Sequence, residues 1–274
     1  MDDRKVTLPT LAQMKRDGRK IVGVVTYDYQ MAQIVDRAGV DIVSVGDSVG
    51  VNLWGHASEL EVTLDEMVLV CKAVRRGVTR ALVSCDFPFG PLQEGPDAAV
   101  RAAIRLVKEG GADLVKLDGA SAFPDAVRAV TRAGIPVWAQ FGVTPHTALK
   151  HGGMTTAAAE PATVMVDTLK REAALLEDAG ASMLDFTGSG PVAGPEVVRA
   201  IDIPVLGGLG GGPWLDGRVR SVVAAIGYLA AAVDDPADRY ANVASIALIA
   251  IKAFSDDVRA ARQIRGAVAG APKP

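Results

Sequence analysis

The sequence predicts an α/β fold, a single (β/α)8 TIM barrel with extra helices at its N- and C-terminal ends. Three observations lead there. Short β-branched runs alternate with longer Ala/Leu/Val-rich stretches of helical period, the pattern of parallel strands joined by helices. Four phrases, Ala38–Val43, Gly110–Val115, Ala133–Trp138 and Ala179–Leu184, repeat one turn from a helix end through glycine into an apolar strand. The length, 274 residues, matches one barrel of roughly 250 residues with additions.

In chain order, the segment Thr7–Gly18 reads as a helix ahead of the barrel. The strands are expected at Ile21–Thr26, Asp41–Gly46, Ala81–Asp86, Leu114–Asp118, Val137–Gly142, Met183–Thr187, Val205–Gly208 and Arg220–Val223. Helices are expected between them at Met31–Ala38, Leu64–Val74, Asp97–Glu109, Phe123–Ala133 and Thr163–Ala179. Gly39, Gly77, Gly110, Gly134 and Gly180 stand where left-handed helix stops belong. The stretch from Arg239 to Gly266 carries one or two more helices. The expected organisation is one barrel domain over residues 1–266, followed by a frayed tail over 267–274.

Composition excludes several function classes. A formal charge of −3 with few aromatic residues offers neither a phosphate-gripping patch nor a base-stacking platform, so nucleic acid is not an expected partner. The longest apolar stretch, Val222–Val233, is too short for the ~20 residues of a membrane span. The opening Met1–Lys5 lacks the basic-then-apolar order of a secretory signal, and a cytoplasmic location is expected. Cys71 and Cys85 are too few for a disulfide framework and read as reduced packing thiols.

In barrels of this kind the chemistry sits where strand C-terminal ends meet the following loops. The polar residues predicted there are Asp47 and Ser48 after the second strand, Asp86 ending the third, Lys116 and Asp118 on the fourth, Gln140 on the fifth, and Asp185 and Thr187 on the sixth. Three carboxylates converging from successive strands repel one another in a dry cavity unless a cation lies between them. Asp47, Asp86 and Asp118 are therefore the expected metal site, and an all-oxygen donor set points to Mg²⁺. Lys116 shares the sense of Asp118, because alternate strand residues point the same way, and can pair with the carboxylates or with an anionic substrate. The run Gly207–Gly212 fits neither a P-loop nor a dinucleotide fingerprint; it reads as a loop whose backbone passes close to a ligand or to another chain. His56, His146 and His151 show no ligand spacing and read as hydrogen-bonding loop residues.

Several motifs run in order along nearly the whole chain: Thr26–Tyr29, Val45–Gly50 followed by Gly55-His56, Ala73–Gly77, Asp86–Phe89, Val115–Gly119, Gly142–Pro145 and Leu215–Gly217. In these the chain resembles the ketopantoate (3-methyl-2-oxobutanoate) hydroxymethyltransferase family. The resemblance implies a barrel of the phosphoenolpyruvate/pyruvate type, often a homo-oligomeric decamer, using Mg²⁺ and 5,10-methylenetetrahydrofolate. The implied reaction transfers a hydroxymethyl group to the C3 enolate of a small 2-oxo acid, 3-methyl-2-oxobutanoate by default, in pantothenate biosynthesis. By the same resemblance Asp47 and Asp86 bind the metal directly or through water, Asp118 stands where the family has a metal-linked Glu, and Ser48 and Lys116 hold the oxo acid.

Two positions depart from the family pattern. Gln140 replaces the family's His on the fifth strand, and Thr187 aligns with the Glu that takes the C3 proton. Thr is no base near neutral pH, and a positioned base is worth ~10²–10⁴ in rate. Asp185, two residues earlier on the same face, is the expected substitute base, with a buried ion-pairing role as its alternative. Two further readings are thus a diverged paralogue performing another aldol, retro-aldol or lyase reaction, and a catalytically silent barrel with a binding role.

Overall fold

The computed structural model describes residues 4–147, 162–235, 237 and 239–266. His151 and the expected tail at 267–274 lie outside the described residues. Where the sequence suggests one domain over 1–266, the chain forms two compact units, Met1–Ser221 and Val222–Pro274.

The first unit holds a closed barrel of eight parallel strands in sequence order. These are β1 (Ile21–Val25), β2 (Ile42–Val45), β3 (Leu82–Asp86), β4 (Leu114–Leu117), β5 (Val137–Gly142), β6 (Met183–Thr187), β7 (Val205–Gly207) and β8 (Gly217–Ser221). The first seven fall where the alternation predicts. The eighth begins three residues earlier than expected, because Val222 and Val223 start a short helix instead of extending the strand. Its alternating Arg218 and Arg220 are exposed and hide the apolar signal.

The helices of this unit are α1 (Leu8–Arg16), α2 (Tyr29–Arg37), α3 (Leu64–Gly77), α4 (Pro96–Arg105), α5 (Pro124–Arg132), α6 (Ala162–Asp178) and α7 (Ala193–Ala200). Their starts follow local side-chain chemistry. Asp28 caps α2 by accepting from Met31 N–H, and Thr63 and Glu66 form a capping box on α3. Of the five expected left-handed stops, Gly39, Gly134 and Gly180 have positive φ. Gly77 and Gly110 do not: α3 runs into an extended Val78, and Gly111 takes the left-handed position after a π-turn at Leu106–Gly110. At Gly77 a side chain would meet the Tyr29 carbonyl at 2.7 Å, so close helix packing, not φ, requires that glycine.

Inward-pointing strand residues change character along the barrel. At the N-terminal end Ile21, Ile42, Leu82, Leu114, Trp138, Met183, Leu206 and Val219 form one cluster with Val6, Leu11 and Met14. The N-terminal helix therefore plugs the barrel floor, and its burial of Leu11 and Met14 contributes roughly 1.5–3 kcal/mol per side chain. Two residues further along, the same face of β2 to β6 becomes polar, with Ser44, Ser84, Lys116, Gln140 and Asp185.

The second unit contains α8 (Val222–Ala225), a 3₁₀ turn at Ala230–Val233 and α9 (Val243–Arg259), which Asn242 caps by accepting from Ser245 N–H. Among the described residues no helix is long and apolar enough to cross a membrane.

Candidate active site

The polar ends of the strands converge on Lys116. Strand register sets Asp86 beside Lys116 and Gln140 beside Asp185. Lys116 Nζ lies 3.2 Å from Asp185 Oδ2 and 3.5 Å from Asp86 Oδ2. It also sits 5.5 Å from the centroid of the Trp138 ring, on the apolar layer below. Burial alone would push the ammonium down, but Asp86, Asp185, Asp118 and Asp47 outweigh it and hold Lys116 protonated well above its ordinary range. One ammonium does not neutralise four carboxylates. Burial pushes the Asp86 carboxyl up to about 7, with the other carboxylates adding to burial and Lys116 opposing it.

The loops supply the rest of the site. Asp47 follows β2, and its Oδ2 lies 2.9 Å from His146 Nε2. His146 is buried on the loop after β5, edge-on to the Phe89 ring, and its backbone N–H reaches Asp118 Oδ2 at 3.4 Å. Burial opposes the charge on His146, but Asp47 and Asp118 prevail and raise its pKa above the ordinary value. Asp118 is raised chiefly by burial, and its Oδ1 is buried with no hydrogen-bond partner among the described residues. Ser44 donates to Asp86 Oδ1 at 3.4 Å.

Asp47, Asp86 and Asp118 thus share one region, as the sequence predicts, with Ser48 beside them. They do not form a ready-made cage. Among the described residues no group of three or more His, Cys, Asp or Glu side chains is set to hold a metal ion. Their chemistry nevertheless fits one. Four carboxylates around one ammonium leave an excess of negative charge, which a divalent cation would neutralise. Mg²⁺ commonly uses one or two carboxylates and completes its octahedron with water and substrate oxygens.

Gln140 and Thr187 meet each other. Gln140 Nε2 donates to Thr187 Oγ1 at 2.9 Å, and both side chains are buried. The two departures from the family pattern therefore form a neutral, mutually satisfied pair with no proton-accepting group. Asp185 is engaged twice, by Lys116 and by the Gly208 N–H at 3.1 Å, and is 3% exposed. This is the ion-pair environment of its alternative reading. Gly208 belongs to the glycine run, which passes close to the protein's own backbone: Leu209 O accepts from Gly188 N–H, and a side chain on Gly210 would meet Gly188 Cα at 3.1 Å. Cys71 and Cys85 are free and fully buried, as packing thiols should be.

Sequence reasoning missed His146, Tyr27, Asn52 and Ser221. Tyr27 Oη, after β1, lies 3.0 Å from Ser48 Oγ and 3.2 Å from Ser221 Oγ, and accepts from Asn52 Nδ2 at 2.8 Å. Tyr27 lies within Thr26–Tyr29, a motif that carries the family resemblance, and His146 directly follows another, Gly142–Pro145; that was the available signal.

The family's sequence profile, described as ketopantoate hydroxymethyltransferase, matches residues 5–263. The chain belongs to the ketopantoate hydroxymethyltransferase family. It is 37% identical over 256 residues to the 3-methyl-2-oxobutanoate hydroxymethyltransferase of Christiangramia forsetii, covering 93% of each chain. It is 38% identical to the enzyme of the same name from a Cyanothece species, covering 93% of this chain and 96% of that one. Among solved structures, 2,3-dimethylmalate lyase, a PEP mutase/isocitrate lyase superfamily member, superimposes with a TM-score of 0.59 at 15% identity, over 98% of this chain and 91% of that one. Phosphonopyruvate hydrolase, solved with oxalate and Mg²⁺, gives 0.56 at 12% identity over 98% and 92%. These two likenesses establish a shared barrel fold. Members of the ketopantoate hydroxymethyltransferase family are transferases, and the chain is an enzyme of that family.

Proposed function

We propose that this ketopantoate hydroxymethyltransferase family member binds a small 2-oxo acid, 3-methyl-2-oxobutanoate by default, and transfers a hydroxymethyl group from 5,10-methylenetetrahydrofolate to its C3 carbon in a Mg²⁺-dependent reaction. The observation that carries the reading is the convergence of Asp47, Ser48, Asp86, Lys116 and Asp118 at the strand ends of one barrel, the set the family resemblance assigns to metal and oxo acid.

Asp47 and Asp86 would hold Mg²⁺, and Asp118, whose buried Oδ1 has no hydrogen-bond partner among the described residues, would hold a coordinated water. Bound Mg²⁺ supplies the Lewis acidity that stabilises a 2-oxo acid enolate. Lys116, held protonated, adds a fixed positive charge toward the oxygens on which negative charge grows, and the Ser48 hydroxyl donates to the substrate carboxylate. His146 fixes the orientation of Asp47 through its Nε2 contact. Gln140 and Thr187 shape the site but take no proton, and the C3 proton would pass to the Asp185 carboxylate on the same strand face.

The neutral Gln140–Thr187 pair favours a second reading, a paralogue running another aldol, retro-aldol or lyase reaction on the same platform. Incubation with Mg²⁺ and 3-methyl-2-oxobutanoate in D₂O, with and without the folate, separates the two. C3 deuteration plus hydroxymethylated product supports the transferase. C3 deuteration without product supports the paralogue, and no exchange with any of several 2-oxo acids removes both. The same reading includes a homo-oligomer, a decamer by family resemblance, acting in the cytoplasm. Exposed Ile246, Ile249 and Ile251 on α9 support subunit contacts, and light scattering at micromolar protein tests them.

A further inference from the structure

The hydroxyl cluster joining β1, β2 and β8 does something the metal platform does not. A phenol carries one O–H donor and accepts through its oxygen lone pairs. Asn52 Nδ2 has donor character only, so at 2.8 Å it takes one acceptor position on Tyr27 Oη. Ser48 and Ser221 flank the same oxygen at 3.0 and 3.2 Å. With one acceptor position filled, Tyr27 donates to one serine and accepts from the other. If Tyr27 donates to Ser221, the Ser48 proton is spent on Tyr27 and Ser48 offers only lone pairs to the pocket. If Tyr27 donates to Ser48, Ser221 donates to Tyr27 and the Ser48 proton is free. An anionic carboxylate is bound only by the second arrangement.

The backbone is built to keep these groups in contact. A side chain on Gly46 would stand 2.9 Å from Ser48 Oγ and 3.7 Å from the Tyr27 ring. Asn52 N–H donates to the Ser48 carbonyl at 2.9 Å, which ties the π-turn Gly50–Trp54 to the serine it helps orient. Tyr27 itself is 5% exposed, so its hydroxyl is held by these three partners and not by bulk water.

We propose that Tyr27 is a positioning residue for substrate binding: its hydroxyl donates to Ser48 Oγ and so directs the Ser48 proton at the carboxylate of the 2-oxo acid. The inference rests on the function proposed above. It predicts that Tyr27 acts through Ser48 alone, and that Ser221 is dispensable, since without it Tyr27 has Ser48 as its remaining acceptor.

The experiment is a thermodynamic cycle on the full chain. The Kd of 3-methyl-2-oxobutanoate in the presence of Mg²⁺ is measured calorimetrically for wild type, Tyr27→Phe, Ser48→Ala, the double variant and Ser221→Ala, alongside KM and kcat. Tyr27→Phe keeps the ring and its packing. Ser48→Ala is expected to weaken binding roughly 10-fold, the scale of one hydrogen bond to a charged group, and Tyr27→Phe, which removes only the donor that orients and polarises Ser48 Oγ, about 3-fold with kcat nearly unchanged. The double variant should bind like Ser48→Ala to within about 2-fold. Ser221→Ala should bind like wild type. Effects that multiply in the double variant, a silent Tyr27→Phe, or a Ser221→Ala loss equal to that of Tyr27→Phe would each overturn the inference while leaving the proposed function standing. A wild-type chain that binds no 2-oxo acid would remove the proposed function, and this inference with it.

Discussion

Replacing Lys116 by Met tests whether the site is organised by charge. The methionine keeps most of the side-chain length over the Trp138 ring and removes only the ammonium. At an effective dielectric constant of ~20, separations of 3.2 and 3.5 Å to Asp185 and Asp86 correspond to about 5 kcal/mol of attraction each. Desolvation of the ammonium cancels much of that in the intact protein, yet the variant leaves two buried carboxylates without their shared cation. Breaking such a pair typically costs 3–5 kcal/mol. With an unfolding slope of ~3 kcal/mol/M in urea, the midpoint falls by roughly 1–1.7 M. Adding Asp185→Asn to Lys116→Met removes one orphaned charge while leaving an oxygen for the Gly208 N–H, so the double variant should recover part of the loss. Urea titrations followed by circular dichroism measure all three proteins. A midpoint unchanged in Lys116→Met, or a double variant no more stable than the single, would refute the charge reasoning.

Four other outcomes follow from the same structure. Chelation with EDTA should abolish turnover, and added Mg²⁺ should restore it, as a C3-exchange assay would register. Met14→Ala removes a side chain that seals the barrel floor and should cost about 2–5 kcal/mol by chemical denaturation while leaving the Kd of the oxo acid unchanged. Gly46→Ala pushes a methyl to 2.7 Å from Val25 Cγ1 and 2.9 Å from Ser48 Oγ, and should raise KM at least about 10-fold, measured against initial rates. Asp36 is a stability prediction with a pH sign: burial acts to raise its pKa, but the Thr79, Arg80 and Ala81 N–H groups and the Thr79 hydroxyl outweigh burial and lower it. A depressed folded-state pKa gives stability that is present above the unfolded value of ~3.9 and lost as pH falls through the folded value. Asp36→Asn should therefore cost roughly 2–3 kcal/mol at pH 7, and the gap to wild type should narrow in paired urea titrations as pH falls below the unfolded value and through the lower folded one.

Much of the fold was legible because its signals are local. A β-branched run following a glycine helix stop is written within about six residues, so β1 to β7 could be placed without knowing what they pack against. Period-two alternation also placed Lys116 and Asp118 on one face, and Asp185 and Thr187 on another strand's matching face. Where the local signal misled, tertiary packing had overruled it. The apolar Val222 and Val223 attract a strand assignment that the register of β8 against β1 denies, and Gly77 is a close-contact glycine and not a stop.

The sequence by itself determined the barrel, the acidic and cationic residues at its strand ends, and the family resemblance that the profile match bears out. It did so because alternation, helix stops and motif residues are properties of neighbouring positions. Only the tertiary structure decided how those residues are spent. Closure of β8 onto β1 brings Ser221 to Tyr27 across 194 positions, and the loop after β5 brings His146 to Asp47 across 99. Lys116 could have paired with substrate alone; the register gives it to Asp86 and Asp185. Hydrogen bonds and ion pairs need side-chain ends within about 3–4 Å, and separations along the chain carry no information on that scale until the barrel has closed.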